Sequence, residues 1–118
     1  MGCGQVDCIV AHDSSEGRLD HVLANIDTLF QAPRLTSTPV YLVSGNSLSC
    51  LLKPGRNAIE VDQSCHGRWC SLVPIGHPCS EVTTTGLAYN LGNFSYPRLS
   101  LLSLPFKRQF SMLTLVCQ

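Results

Sequence analysis

Four polar residues at the start of a predicted helix have types and spacings suited to binding a phosphorylated ligand. They are Arg18, Asp20, His21 and Asn25. At about 100° per residue, Arg18, His21 and Asn25 share one polar flank, whereas Asp20 falls on the other side of an apolar stripe. An arginine beside free backbone N–H groups suits a phosphate, and the Asp20 carboxylate suits a hard cation or a substrate hydroxyl. The same residues also fit a solvated first turn in which Asp20 compensates the helix dipole.

A glycine corner after a predicted strand is the second place that could bind a ligand. Its residues are Thr85, Gly86, Leu87 and Tyr89. A flat heteroaromatic ligand stacked on Tyr89 would gain about 0.5 to 1.5 kcal/mol beyond the burial of its surface. Threonine and tyrosine are also ordinary strand residues, so the segment fits plain β-structure as well.

The balanced charge of the chain argues against a nucleic-acid-binding surface. Among 118 residues, eight Lys and Arg offset eight Asp and Glu, which gives a formal net charge of +0. With 44% hydrophobic residues the chain is too apolar for disorder, and its length fits about one domain. We find neither an apolar run of about 18 residues nor a basic segment before an apolar stretch. We therefore expect no nucleic-acid partner, no membrane span and no secretory signal.

Seven cysteines, an odd number without a regular framework, predict reduced thiols and a cytoplasmic location. A zinc site is the alternative, with ligands drawn from Cys65, His66, Cys70, His77 and Cys79. Structural zinc sites commonly pair ligands about two residues apart, and the wider gap between Cys65 and Cys70 disfavours that alternative.

A strand and an amphipathic helix are predicted to position the first group of polar residues. Residues 6–11 read as a buried strand that ends in a polar loop. The apolar residues that follow have helical spacing, at positions 19, 22, 23, 26, 29 and 30. Asp13 or Ser14 is the predicted N-cap, with Glu16 completing a capping box, and Pro33 is predicted to end the helix.

The rest of the chain reads as β-structure followed by a different tail. Short runs separated by turn residues predict five strands, at 40–43, 48–52, 58–62, 70–75 and 80–85. Tight turns between them indicate antiparallel meanders of a sandwich or barrel. The tail at residues 92–118 is apolar and serine-rich, and its prolines favour at most one or two edge strands.

Four segments in order resemble thiamine pyrophosphokinase of the animal type. They read GRLDHVLANIDTLFQA at 17–32, LLKPG at 51–55, WCSLVPIGHPC at 69–79 and VTTTGL at 82–87. The resemblance covers about residues 5–91. It implies an enzyme, a homodimeric transferase that moves a pyrophosphoryl group from ATP to the hydroxyethyl oxygen of thiamine and releases AMP.

The resemblance also implies a fold and a division of the chain. The family joins an α/β nucleotide-binding domain to a C-terminal β-sandwich that binds thiamine. This chain is then expected to be an α+β fragment, in which one βα remnant of the α/β domain precedes a partial antiparallel β-sandwich. The expected divisions are residues 1–38 for the remnant, 39–91 for the incomplete sandwich and 92–118 for a divergent tail.

Roles for the two groups of residues follow from the same resemblance. Arg18 would contact phosphate or substrate, and Asp20 would hold Mg²⁺ or orient the thiamine hydroxyl. His21 and Asn25 would be substrate-binding residues beside them. The corner formed by Thr85, Gly86, Leu87 and Tyr89 would line the thiamine pocket, with Tyr89 where the family has a stacking tryptophan.

Departures from the family pattern lead us to expect an incomplete enzyme. Only sixteen residues precede Gly17, so most of the ATP site is expected to lie outside this sequence. The loop HDSSEG at 12–17 places two acids where phosphate would approach. The resemblance ends near Leu91, and at least two sandwich strands are expected to be missing or replaced. The chain alone is thus expected to have weak or no activity. The alternatives are a non-catalytic thiamine-binding module, a module that pairs with a full-length subunit, and an unstable truncated product.

Overall fold

The fold consists of two compact units, Met1–Leu51 and Leu52–Gln118, called here the first and the second unit. The computed structural model describes residues 4–14, 17–62, 64, 69–75, 82–92, 102–105 and 112–117, the last two ranges as backbone. The first unit contains one sheet and the second contains two, and each unit has its own buried residues.

The first unit is a three-stranded mixed sheet with one helix. Its elements are β1 (Ile9–Asp13), α1 (Leu19–Leu35), β2 (Val40–Ser44) and β3 (Ser47–Cys50). The sheet has the order β1-β2-β3, with β1 and β2 parallel and β2 and β3 antiparallel. The strand, helix and parallel strand form a βαβ unit, because parallel neighbours need a crossover connection. The predicted βα start of the chain is thus present in the structure.

The helix α1 begins later than the predicted cap and ends later than the predicted stop. Its N-cap is Arg18, in extended backbone and without a side-chain cap, so the prediction of Asp13 or Ser14 as N-cap is wrong. Gly17 lies between β1 and the helix with a φ of +84°, a backbone conformation that residues with a side chain rarely adopt. Pro33 removes one hydrogen bond in the last turn without ending it, and the Thr36 N–H still donates to the Ala32 carbonyl at 3.0 Å.

Only part of the apolar stripe of α1 is covered within the first unit. Leu29 of α1 and Leu42 of β2 are buried, and α1 packs on β2. Leu19 and Leu23 of the same stripe are 70% and 57% exposed. The spacing of apolar residues therefore predicted the helix correctly but not how much of its face would be buried.

The second unit is built from two antiparallel sheets. Its strands are β4 (Gly55–Glu60), β5 (Trp69–Leu72), β6 (Val82–Thr85), β7 (Leu102–Pro105) and β8 (Met112–Cys117). One sheet has the order β4-β8-β6 and the other pairs β5 with β7. In the three-stranded sheet, β4 pairs with β8 from Gly55↔Cys117 to Glu60↔Met112. On the other side of β8, β6 pairs with it from Val82↔Cys117 to Thr85↔Thr114.

Strand neighbours differ from the predicted meander. Strand β2 pairs with β1, and β3 pairs with β2, so both belong to the first unit, which extends to Leu51. The later strands pair with β7 and β8 instead of with each other. The expected edge strand at the C-terminal end is in fact central, because β8 bonds to β4 on one side and to β6 on the other. The separate domain status of residues 39–91 and 92–118 stays a prediction.

Leu87 is the centre of the core of the second unit. It is 1% exposed and packs against Leu52, Ile59, Val61, Cys70 and Leu72. Since Ile59 lies on β4 and Leu72 on β5, this one side chain contacts strands of both sheets. The residue just after the β6 corner thus anchors that corner to the core.

The structure describes two exposed cysteines in the first unit. Cys8 and Cys50 are free cysteines. Desolvation raises the pKa of Cys50, although part of its side chain reaches solvent, so it remains a neutral thiol at pH 7. Four of the five residues of the zinc alternative, Cys65, His66, His77 and Cys79, lie outside the described residues. Among the described residues, no helix combines the length and the hydrophobicity needed to cross a membrane.

Candidate functional site

An open cleft of about 400 Å³ lies in the first unit, between the end of β1 and the first half of α1. It is lined by His12, Asp13, Ser14, His21, Ala24 and Asn25. His21 and Asn25 lie one turn apart on α1, so their side chains share a face of the helix. The structure therefore brings two of the predicted site residues, His21 and Asn25, into one cleft.

The position of this cleft follows from the parallel pairing of β1 and β2. Asp13 and Ser44 are register partners at the carboxyl ends of these two strands. The Ser44 hydroxyl donates a hydrogen bond of 3.2 Å to Oδ2 of Asp13. Ligands of α/β sheets bind outside the carboxyl ends of parallel strands, because the loops and helix starts there leave polar groups available. The cleft lies where such a sheet would bind a ligand.

Arg18 and Asp20 form a bidentate ion pair at the start of α1. The Arg18 Nε donates to Asp20 Oδ1 at 3.2 Å, and Nη2 donates to Oδ2 at 2.6 Å. The two side chains are 65% and 63% exposed. The prediction that they lie on opposite sides of the apolar stripe is wrong, because Arg18 is the extended N-cap and is not bound by the helical angle.

This ion pair holds the cation and the anion of the predicted site in one place. Because both carboxylate oxygens accept from Arg18, a ligand that binds either side chain must compete with the other. An exposed pair of this kind contributes only about 0 to 1 kcal/mol, so the competition is weak. The paired residues therefore remain available for an anion on Arg18 and for a cation or hydroxyl on Asp20.

A network of three hydrogen bonds shapes the corner after β6 in the second unit. The Thr84 N–H donates to the Leu91 carbonyl at 2.9 Å, and the Leu91 N–H donates to the Thr84 hydroxyl at 2.8 Å. The Leu87 N–H donates to Oδ1 of Asn90 at 3.0 Å. These bonds close the chain from Thr84 to Leu91 into a defined loop.

The four predicted residues of this corner have different surroundings. Tyr89 is 73% exposed, and Thr85 is also exposed. Leu87, at 1% exposed, offers almost no surface to a ligand and is a core residue in this structure. Tyr89 and Thr85 of the corner therefore face solvent, while Leu87 packs into the core of the second unit.

Gly86 is expected to be needed for the shape of the corner. Its φ of +96° lies where side chains are strained, so Gly86→Ala should lower the free energy of unfolding by about 1 to 2 kcal/mol. Gly4→Ala is the matched control, since a Cβ there meets nothing within 4 Å and no positive φ is involved. Thermal and urea unfolding of the two variants measures the difference. Equal stabilities for Gly86→Ala and Gly4→Ala would contradict the assignment.

Among the described residues, no group of three or more His, Cys, Asp or Glu side chains is arranged to hold a metal ion. A magnesium ion needs fewer protein ligands, because it is usually bound through one or two carboxylates together with substrate phosphates and waters. The Asp20 carboxylate fits that donor set as one ligand.

Sequence reasoning missed His12, Asp13 and Ser14 as cleft residues. The sequence predicts Asp13 or Ser14 as the helix cap and the acids of the loop as unfavourable to a phosphate. Strand β1 continues to Asp13, two residues beyond the predicted end at Ala11, and that extension carries these side chains to the sheet edge. The predicted strand β2 could have identified these three residues. If it pairs in parallel with β1, its end at Ser44 lies at the same edge of the sheet as Asp13.

Comparison with known proteins finds relatives for both units. A family model described as "Thiamin pyrophosphokinase, vitamin B1 binding domain" matches residues 56–104. The match includes residues 92–104, beyond the point where the resemblance was expected to end. Thiamine pyrophosphokinase 3 of Oryza sativa subsp. japonica is 38% identical over 89 residues, which are 75% of this chain and 32% of the rice protein.

Bacterial relatives give the same result in sequence and in structure. Thiamine pyrophosphokinase of Bacillus subtilis is 32% identical over 75% of this chain and 40% of its own length. A crystal structure of thiamine pyrophosphokinase from Bacillus subtilis superposes with a TM-score of 0.77 at 28% identity, covering 96% of this chain and 52% of that one. The structure of the Geobacillus thermodenitrificans protein, at 23% identity, has a TM-score of 0.77 over 98% of this chain and 51% of that one, and shows the fold alone. The chain spans about a third of the length of the plant relatives.

Proposed function

The matched part of this chain belongs to the thiamine pyrophosphokinase family, and on that basis we propose that the chain takes part in pyrophosphoryl transfer from ATP to thiamine. The first unit would be a remnant of the α/β nucleotide-binding domain, and the second a partial β-sandwich that binds thiamine. The observation that carries the proposal is the Arg18–Asp20 pair at the start of a helix that follows a parallel strand. Transfers of this kind depend on positioning and on charge neutralisation, for which an arginine and a carboxylate are suitable residue types.

The residues of the first unit have distinct proposed roles. Arg18 would bind phosphate oxygens, because the N–H donors of its planar guanidinium match two such oxygens in bidentate geometry. Asp20 would orient the thiamine hydroxyl, since a carboxylate accepts the proton of a hydroxyl within hydrogen-bond reach. His21 and Asn25 would contact substrate from the cleft wall. Asp20 would also be the carboxylate ligand of Mg²⁺, an ion that, when bound, neutralises charge on phosphate oxygens.

The proposed role of the second unit is to bind the aromatic part of thiamine. Tyr89, 73% exposed at the corner after β6, offers a ring on which a flat heterocycle can stack. Thr85 and the backbone of Gly86 would supply polar contacts beside it. Support comes from the family match at residues 56–104, which includes the corner and carries the description of a vitamin B1 binding domain.

Asp20→Asn should strengthen the binding of inorganic pyrophosphate. In the native chain Arg18 is paired with Asp20, and removal of the negative charge leaves the guanidinium free for an anion. We expect an increase of about twofold to fivefold, because an exposed pair is worth about 0 to 1 kcal/mol. Calorimetry at low salt measures it, with Asp27→Asn, on the same helix, as the control for net charge. Equal changes in the two variants would show that Asp20 does not compete for Arg18.

A product assay tests the proposed chemistry directly. The 118-residue chain is incubated with thiamine, ATP and Mg²⁺, and thiamine diphosphate is measured by chromatography. We expect little or no product from the chain alone, since it spans only 32% of the length of the rice enzyme. Rapid formation of thiamine diphosphate that Asp20→Ala abolishes would show that the site is complete and the proposed incompleteness wrong.

A non-catalytic thiamine-binding module is the second candidate function. It is favoured by the family match, which falls on the vitamin B1 binding domain and not on residues before Arg56. Under this alternative the chain binds thiamine through Tyr89 and gives no product in any mixture. Adding an intact pyrophosphokinase subunit distinguishes the two, because only a catalytic contribution makes product formation depend on Arg18 of this chain.

We also propose that the chain forms a homodimer in the cytoplasm. Apolar residues of the first unit, among them Val10, Leu19 and Leu23, are more than half exposed and would be covered by a second subunit. Pairing with a full-length subunit is the alternative for the same surface. The free thiols of Cys8 and Cys50 agree with a reducing compartment.

A further inference from the structure

The loop that carries Tyr89 is fixed at both ends. On one side, Leu87 is buried in the core of the second unit, with 1% of its surface exposed. On the other side, Leu91 is held through both its N–H and its carbonyl by Thr84, which is itself 2% exposed. Between these anchors only Ala88, Tyr89 and Asn90 span the outer part of the loop.

Asn90 closes this outer part into a turn. Its Oδ1 accepts the Leu87 N–H at 3.0 Å, so the side chain of the last residue of the turn bonds back to the backbone of Leu87, where the turn begins. Tyr89 lies within the turn and reaches solvent with 73% of its surface. A loop backbone that is already fixed loses little conformational entropy when a ligand stacks on the ring it carries, and that saving appears as affinity.

We propose that Asn90 is a positioning residue that fixes the turn from which Tyr89 stacks on the heterocycle of the ligand. The inference rests on the proposed function, in which thiamine stacks on Tyr89. Asn90 itself need not touch the ligand. Its contribution comes from the hydrogen bond to the Leu87 N–H, which holds the backbone on both sides of the aromatic residue.

The test uses the full 118-residue chain, with thiamine as the ligand, and variants at positions 89 and 90. Asn90→Ala removes the acceptor and should weaken thiamine binding by about threefold to tenfold, within the range that ring stacking contributes. Asn90→Asp keeps an acceptor oxygen and should bind within about twofold of the native chain. Because the carboxylate adds a charge, the comparison is made at about 0.5 M salt, where charges on the surface are screened.

A double-mutant cycle separates positioning from a general effect on the fold. If Asn90 acts through Tyr89, the variant with both Tyr89→Ala and Asn90→Ala should bind thiamine no more weakly than Tyr89→Ala alone. Additive losses, or full affinity in Asn90→Ala, would overturn the inference. Thermal unfolding of each variant shows that the second unit is folded during the measurement.

Hydrogen exchange makes failure of the inference distinguishable from failure of the proposed function. The Leu87 amide should exchange about tenfold faster in Asn90→Ala than in the native chain and should stay protected in Asn90→Asp. A protected Leu87 amide in a native chain that does not bind thiamine overturns the proposed function, and with it the role of Asn90 in stacking. Normal thiamine binding with an unprotected Leu87 amide overturns the positioning role alone.

Discussion

Leu87→Ala is expected to lower the free energy of unfolding of the second unit by about 2 to 5 kcal/mol. The side chain is 1% exposed and packs against residues from β4 and β5, so its truncation leaves a cavity between the two sheets. A loss of that size is a large part of the stability of a small unit, and much of the chain should be unfolded at 37 °C. Urea unfolding followed by the fluorescence of Trp69, in β5, measures the effect.

Val73→Ala is the matched control for this truncation. Val73 is an apolar residue of the same unit, but 56% of it is exposed, so its truncation should change stability by no more than about 0.5 kcal/mol. Similar losses in the two variants would show that Leu87 is not the centre of the core. The control also separates a core effect from a general sensitivity of the unit to smaller side chains.

Arg18→Ala is expected to weaken the binding of inorganic pyrophosphate and of ATP by about tenfold or more. Hydrogen bonds to charged groups contribute about 1.5 to 3 kcal/mol, and Arg18 offers at least two donors at the start of α1. Arg18→Lys keeps the positive charge but loses the bidentate hydrogen bonding of the guanidinium, so it should recover only part of the affinity. Calorimetry with each anion measures the losses.

Arg34→Ala is the matched control, because it removes the same single positive charge as Arg18→Ala. Arg34 lies in the last turn of the same helix, where the dipole and the free carbonyls disfavour an anion. Its removal should leave pyrophosphate binding within about twofold of the native value. If Arg34→Ala weakened binding as much as Arg18→Ala, the anion would be attracted by overall charge and not by the start of α1.

Local patterns in the sequence predicted the elements of the chain but not their neighbours. The apolar spacing from Leu19 onward predicted α1, and short apolar runs predicted β2 to β6 within a few residues. Pairing of β8 with β4 joins residues more than fifty positions apart, for example Glu60 with Met112, and no local signal encodes that choice. The exposure of Leu23 escaped prediction for the same reason, because the stripe shows which face is apolar and not what covers it.

The candidate site was predicted in part. Residue type and family resemblance predict Arg18, Asp20 and Tyr89, and the structure leaves all three side chains exposed to solvent. The ion pair between Arg18 and Asp20 could not be predicted from helical angles, since it depends on the extended backbone of the N-cap. Family resemblance predicts Leu87 in the wall of the thiamine pocket, whereas the structure buries its side chain in the core of the second unit.

Calorimetric titration of the 118-residue chain with thiamine shows whether the second unit binds the vitamin through Tyr89, with Tyr89→Phe and Tyr89→Ala measured beside it. We expect one thiamine site in the native chain, near-native affinity in Tyr89→Phe, which keeps the ring, and a loss of about twofold to tenfold in Tyr89→Ala. The contrary result is a folded native chain that releases no heat with thiamine, or one that binds thiamine equally well after Tyr89→Ala.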